Sequence, residues 1–300
     1  MTMDLKRLHH FVTVAETLNF RRAAEQLHMA QPPLSVSIQK LEAELGTRLF
    51  ERNTSGVSIT PAGLAVLAEA KRALFHAGQI TQMAQSAVRG TGGRLQIGFV
   101  GSAIYGMLQK LASPFRAQYP GVELVLREAT SVRILEMLES GELDVGLVRT
   151  PLTQSTLVSL LPLERDEFIA ALPSANPLAQ RVRLRLADLR LEPFIMYRAS
   201  DAPGFRGAAM FACQRAGFYP QITQEAAQIQ TVLALVEIGL GVALVPSVMQ
   251  RFMSEHITYR SLIGERDNGS VGMALAVRSG MESPAAIKFK ELALKSFQPH

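Results

Sequence analysis

Residues 23–52, AAEQLHMAQPPLSVSIQKLEAELGTRLFER, read as one short helix, a tight turn, a second helix and the start of a wing. Leu34, Ile38, Leu41 and Leu45 stand at i, i+4, i+7 and i+11, so all four fall in one narrow stripe of a helix, and that stripe is core. Pro32 and Pro33 suit a first turn, where a missing N–H costs little. Gly46 follows the last apolar residue, where helices commonly stop. The spacing therefore predicts a helix over Gln31–Leu45. Opposite the stripe lie Pro32, Val36, Gln39, Lys40 and Ala43, a small polar face of the kind that enters a groove.

Two helices alone would describe an αα-hairpin in any helical domain; the flanks decide otherwise. Leu5, Leu8, Val12 and Ala15 give a preceding helix with one apolar face, and Asn19 is placed to cap the next. Ala23, Ala24 and Leu27 keep that second helix slim, so the third can cross it closely. Leu49-Phe50 and Val57–Ile59 then bracket the polar turn Arg52-Asn53-Thr54-Ser55-Gly56, a two-stranded wing. Three helices and a wing make a winged helix-turn-helix.

With these residues in place, the run from Leu8 to Gly63 resembles the DNA-binding head of LysR-type transcriptional regulators. The match is carried by Phe11, Val14-Ala15-Glu16, Asn19-Phe20, Ala23-Ala24, Leu27, Gln31-Pro32-Pro33-Leu34-Ser35, Ile38, Leu41-Glu42, Leu45-Gly46, Leu49-Phe50, Arg52, Thr60-Pro61 and Gly63. The QPPLS run resembles the branch that controls aromatic-compound degradation in response to benzoate-like or muconate-like effectors. The family usually carries a basic residue after that serine, and here Val36 stands there. The resemblance implies a regulator of the activator kind, homodimers that pair into homotetramers, RNA polymerase as a further partner, and no cofactor.

Bulk properties fit a globular protein with room for two or three units: 300 residues, 48% hydrophobic. Net charge is +5 and the pI near 9.5, which suits a polyanionic partner. Residues 1–60, however, hold 7 Lys+Arg against 6 Asp+Glu, so the basic excess is not concentrated in the head. A single cysteine, Cys213, forms no intramolecular disulfide, fits a reducing compartment, and reads as a small buried hydrophobe. Residues 1–8 carry Asp4, Lys6 and Arg7 without a secretory apolar run, and no stretch of eighteen apolar residues occurs, so a cytoplasmic protein without membrane contact is expected.

From Thr60 about thirty residues run without a strong breaker after Pro61, predicting one long helix. Leu67, Ala70, Leu74, Ala77, Thr81, Ala84 and Val88 alternate spacings of three and four, as a coiled-coil seam requires. A helix of about 40 Å overreaches a small head, so this is read as a dimerisation helix holding two heads for two half-sites. Arg89-Gly90-Thr91-Gly92-Gly93 forms a hinge. Beyond it strands and helices alternate: strand 95–100, helix 104–118, strand 122–128, helix 131–140, strand 143–149. A second unit begins near Leu163, with strands at 168–172, 194–197, 222–226 and 241–245 and helices at 205–216 and 228–238. Strand 271–277 and helix 284–297 return to the first unit. Such alternation calls for parallel sheets.

The expected fold class is thus α/β with an all-α-type winged helix-turn-helix head, a long linker helix, and a two-lobed, periplasmic-binding-protein-like effector domain. The domains are 1–60 (DNA-binding head), 61–90 (linker helix and hinge) and 91–300 (effector domain). Lobe I comprises 91–163 plus 266–300, and lobe II 164–265.

No phosphate-binding loop, nucleophile elbow or zinc-protease motif occurs, and no G-x-G-x-x-G follows a strand. The histidines show no spacing that converges on a metal with Cys213 or with carboxylates. Neither an enzyme nor a metal site is expected, and Glu142-Leu143-Asp144 reads as a cap and strand start.

In open α/β sheets ligands lie beyond the carboxyl ends of strands. Those ends deliver Ser102, Thr130, Ser131 and Arg149 from the first lobe, and Phe205 and the helix start at Ile229 should face the same gap from the second. Hydroxyls, one guanidinium and apolar walls suit a small carboxylate, against the alternatives that the hydroxyls merely cap their own helices or that Arg149 pairs with a neighbouring carboxylate and the effector is neutral. For double-stranded operator DNA the candidates are Gln31, Pro33, Ser35, Gln39 and Lys40, with Arg52 on a phosphate at the wing. The competing readings, a solute-binding or enzymatic α/β protein carrying a helical interaction domain, leave the head or the missing catalytic motif unexplained.

Overall fold

The structure, a computed structural model, describes residues 3–53, 56–89, 93–153, 158–263, 271–278, 280 and 282–297, without the side chains of 52, 53, 56, 79 and 81–89. Thr54-Ser55 of the wing turn and Gly90–Gly92 of the hinge lie outside that description. The chain divides into two compact units, 1–90 with 139–142, and 91–138 with 143–300.

In the first unit, α1 (Leu5–Thr17) starts where the Asp4 carboxylate accepts the Lys6 N–H, and ends at Leu18 in the left-handed region. The Asn19 side chain caps α2 (Phe20–Gln26), accepting the N–H groups of Arg21 and Arg22 at 3.0 and 3.1 Å. α3 is Gln31–Leu45, the range that its apolar spacing predicts, and Gly46 at φ 67° closes it in a conformation that disfavours a side chain. Leu34, Ile38 and Leu41 are fully buried with Phe11, Val14 and Leu49, whereas Leu45 is only partly covered. The wing is β1 (Phe50–Asn53) antiparallel to β2 (Gly56–Ile59). Glu42 ties it to α3 by accepting the Leu49 and Phe50 N–H groups at 2.7 and 3.2 Å. Phe11 and Phe20 pack around the Phe50 ring at 5.5 and 5.9 Å.

α4 (Pro61–Arg89) runs for 29 residues from Thr60, whose hydroxyl accepts the Gly63 N–H and donates to the Arg48 carbonyl. The seam reading of this helix needs correction in its first half. Ala70 is buried in the head's own core, and Leu67 and Leu74 pack on it from the side, because α4 folds back along α1. Among the described residues of α4, the large apolar side chains left exposed are Leu64 and Ile80. The side chains of Thr81, Ala84 and Val88 lie outside the described residues.

The second unit opens with β3 (Arg94–Phe99), a 3-10 turn Gly101–Tyr105 where a continuous helix is expected from 104, and α5 (Met107–Gln118). β4 (Glu123–Glu128), α6 (Ser131–Glu139) and β5 (Val145–Thr150) follow. Asp144 bridges strands, accepting the Gln96 N–H at 2.8 Å while its own N–H reaches the Gln96 carbonyl, so the Glu142–Asp144 segment serves structure here. β6 (Ser159–Asp166) was not expected as a strand. It carries Pro162, which argues against a central strand, and it lies at an edge, where proline is tolerated. It also moves the crossing to the second lobe past Asp166, to the start of β7 (Phe168–Pro173).

β8 (Pro193–Tyr197), α7 (Pro203–Arg215), β9 (Gln221–Ala226), α8 (Ile229–Glu237), β10 (Ala243–Pro246) and a second unexpected edge strand, β11 (Ile257–Ser261), complete the second lobe. β12 (Val271–Val277) and α9 (Pro284–Ser296) return to the first.

The first sheet has the order β4-β3-β5-β12-β6. It is not wholly parallel: β12 runs antiparallel to both β5 and β6. The reason is topological. β5 and β6 end at the edge facing the second lobe, and a chain that re-enters from that lobe must run the opposite way. In the second lobe β7 is likewise antiparallel to β10 and β11, β8 pairs with β9 in parallel, and a parallel bridge from Phe194 to Val242 joins the two groups. Each lobe buries its own core, around Phe115 and Phe289 in one and around Phe194 and Cys213 in the other. Among the described residues no helix is long and apolar enough to cross a membrane.

Candidate functional site

Two surfaces meet the expectations for a site. On α3 of the first unit, the turns that bury Leu34, Ile38 and Leu41 present Gln31, Pro33, Gln39 and Lys40 to solvent, with Ser35 half-covered. The Gln31 side-chain amide donates to the Ser35 hydroxyl at 3.0 Å, which pre-orients the first turn. Val36, 48% exposed, gives this face an apolar centre where a basic residue would add charge. The wing backbone follows the expected hairpin, but the Arg52 side chain lies outside the described residues.

The second surface is a cleft between the two lobes of the second unit. Its position follows from the topology. β3, β4 and β5 in one lobe and β8, β9 and β10 in the other deliver their carboxyl ends there, and α6, α7 and α8 begin there. Helix N-termini carry unpaired N–H groups and partial positive charge, so three of them favour an anion. Neither α7 nor α8 has a side-chain cap to satisfy those groups internally. Gly204 lets α7 start close to the wall, since a Cβ there would lie 2.0 Å from the Pro151 carbonyl oxygen.

All six residues expected from the sequence line this cleft: Ser102, Thr130, Ser131, Arg149, Phe205 and Ile229. The hydroxyls share a pattern. Ser102 Oγ accepts from Arg149 Nη2 at 2.7 Å, Ser131 Oγ accepts the Arg149 N–H at 3.1 Å, and Thr130 Oγ1 accepts the Arg133 N–H at 3.4 Å. Thr130 therefore does cap its own helix. With a lone pair of each oxygen engaged by the protein, each O–H is left to donate.

Arg149 follows the alternative reading, in which it pairs with a neighbouring carboxylate. It is not a free guanidinium: Nη1 pairs with Asp166 Oδ2 at 2.8 Å, with the two side chains only 7% and 8% exposed. Burial lowers its proton affinity and Asp166 opposes that loss. Asp166 Oδ1 also accepts the Ser247 N–H and hydroxyl at 3.0 and 2.6 Å, so the carboxylate is fully engaged. The cleft floor is thus electrically neutral. Phe205 covers it, lying under the guanidinium at 5.8 Å and packed between Phe168 and Tyr197 at 4.9 and 4.8 Å.

Tyr197 and Asp166 are the residues that the sequence reading missed. Tyr197 ends β8, so the strand-end rule that found Ser102 and Arg149 would also have found it. Asp166 was hidden with the strand that carries it. Burial pushes the Tyr197 phenol far above its ordinary range, so it remains a donor. Among the described residues no group of His, Cys, Asp or Glu is arranged to hold a metal.

Comparison with known proteins finds a match for each unit. Residues 5–64 match the family "Bacterial regulatory helix-turn-helix protein, lysR family", and residues 89–298 match "LysR substrate binding domain". The chain is 38% identical over 260 residues to the HTH-type transcriptional regulator AlsR of Bacillus subtilis, covering 87% of this chain and 86% of AlsR. It is 36% identical over 286 residues to the HTH-type transcriptional regulator CatR of Pseudomonas putida, covering 94% and 95%. The crystal structure of full-length CbnR complexed with its target DNA superposes with a TM-score of 0.76 at 27% identity, over 98% of this chain and 100% of that one.

Proposed function

This chain belongs to the LysR family of DNA-binding transcription regulators, which carry an effector-binding domain and are not enzymes, and from that premise we propose that it reads its operator through α3 and responds to a small carboxylate. Gln31, Pro33, Ser35, Gln39 and Lys40 lie against DNA, with Arg52 on a phosphate at the wing. The amides read adenine edges, and Lys40 and Arg52 fix register through the backbone. The effector sits at Ser102, Thr130, Ser131, Phe205 and Ile229, and Arg149 organises these groups. The observation that carries this reading is the set of three hydroxyls, each held by one N–H of the protein with its O–H left to donate, set among helix N-termini: a carboxylate is the small group that takes up several such donors at once.

The aromatic-compound branch, with a benzoate-like or muconate-like effector, is supported by the Gln31–Ser35 run and by the likeness to CatR. The domains run 1–60, 61–90 and 91–300, with the protein working in the cytoplasm as dimers joined through α4 and paired into tetramers, and with RNA polymerase as a further partner. Because Leu67 and Leu74 lean on the head's own core, the dimer contact on α4 falls to its exposed side, with Leu64 and Ile80.

A gel shift on the DNA upstream of the protein's own gene tests the DNA-binding part. Arg52→Ala is expected to weaken binding about equally on all sequences and to lower the slope of log affinity against log salt by about one unit. Gln31→Ala is expected to relax preference at one base pair, at a cost of about 1–3 kcal/mol on the preferred site. Should Arg52→Ala change base preference and leave the salt slope alone, the assignment is wrong.

A further inference from the structure

The donors described so far lie mostly in the first lobe, yet the second lobe has one of its own. Tyr197 lines the cleft, is 5% exposed, and its hydroxyl is buried without a hydrogen-bond partner among the described residues. A buried donor left unpaired is destabilising, and the neighbouring groups do not relieve it: Phe205 offers only its ring, at 4.8 Å, and Arg149 is itself a donor, whose Nε is also unpartnered. The same wall carries a second ion pair. Asp201 lines the cleft beside the start of α7, holding Arg198 at 3.5 Å and accepting the Ser200 hydroxyl at 3.1 Å. With Arg149 held by Asp166 and Arg198 held by Asp201, neither pair leaves a free cation for a second anionic group.

From this the geometry points to an effector with a second, uncharged oxygen: a hydroxy-substituted monocarboxylate whose carboxylate meets Ser102, Thr130 and Ser131 and whose hydroxyl oxygen accepts from Tyr197. Tyr197 is then the residue that sets specificity, and the inference rests on the carboxylate reading above. It adds a role for the second lobe. A ligand hydrogen-bonded by oxygens at both ends joins the two lobes, whereas a plain acid is hydrogen-bonded by the first alone and leaves the Tyr197 hydroxyl unpaired. Sites built to hydrogen-bond a ligand hydroxyl reject the analogue that lacks it, because the site's own buried group is left unpaired.

Calorimetry on the full chain with benzoate, 3- and 4-hydroxybenzoate, and isophthalate and terephthalate tests this. One of the hydroxybenzoates is expected to bind about tenfold tighter than benzoate. Tyr197→Phe should abolish that advantage and leave benzoate affinity unchanged. The two diacids should gain nothing over benzoate. Removing an unpaired hydroxyl should leave the ligand-free melting temperature of Tyr197→Phe equal to or above that of the parent, which also verifies that the variant folds. If the parent binds benzoate and both hydroxybenzoates equally, or if Tyr197→Phe keeps the ratio, the inference is overturned while the carboxylate reading stands. A diacid that binds tighter than the hydroxy acids overturns it as well. If none of the acids binds, the carboxylate reading fails and the inference falls with it.

Discussion

Asp166→Ala is expected to destabilise the second unit by about 3–5 kcal/mol, because it leaves the Arg149 guanidinium buried without its counter-charge. The substitution also strips acceptors from the Ser247 N–H and hydroxyl, where the chain leaves β10. For a unit of this size the melting temperature should fall by on the order of 10 °C, followed by circular dichroism of the full chain. The double variant Asp166→Leu with Arg149→Met removes both charges and should recover most of that loss, since a buried pair often does no better than apolar side chains of similar volume. A loss below about 1 kcal/mol for Asp166→Ala would mean that water already reaches the pair. The double variant should nevertheless fail to respond to effector, because Ser102 loses the donor that orients its hydroxyl.

Ile38→Ala carries the second large effect, in the other unit. Ile38 is fully buried on the inner stripe of α3, and truncating such a side chain costs about 2–5 kcal/mol. In a head of about sixty residues that is enough to unfold a large fraction of the molecules at growth temperature. Val36, two residues earlier on the opposite face and 48% exposed, should change stability by no more than about 0.5 kcal/mol when cut to Ala. Loss of DNA binding by Ile38→Ala should therefore recover on cooling or in Ile38→Val, while any loss from Val36→Ala should persist at every temperature at which the head is folded. Thermal melts paired with gel shifts at two temperatures separate the two faces. Equal stability losses at both positions would refute the orientation of α3.

These two variants also mark what could be read in the chain. The head was legible almost to the residue, because Leu34, Ile38 and Leu41 obey one helical period and Asn19 and Gly46 are unambiguous boundaries. The α4 seam was half misread: a period of three and four says which face is apolar, but not whether α1 of the same head or another chain covers it. In the second unit the buried central strands were plain, while β6 and β11 at the edges were not, since edge strands need neither continuous apolar runs nor freedom from proline. The direction of β12 is a property of the lobe crossing, which no local pattern encodes. At the cleft, the strand-end rule pointed to Ser102, Thr130, Ser131 and Arg149, and these line the wall together with Phe205 and Ile229 from the second lobe. It could not tell that Arg149 is spoken for by Asp166, because the partner lies on a strand that its own sequence disguises.

The central claim is that the cleft between the lobes takes a carboxylate through hydroxyls that the protein holds by one accepted bond each and whose O–H groups remain to donate. Calorimetry of the full chain against matched pairs, benzoate with benzamide and muconate with its diamide, tests that most directly. The prediction is that at least one acid binds, that its amide binds at least about tenfold more weakly, and that Ser102→Ala combined with Thr130→Val abolishes the difference. Amides that bind as well as their acids, or a double variant that binds the acid unchanged, would contradict it.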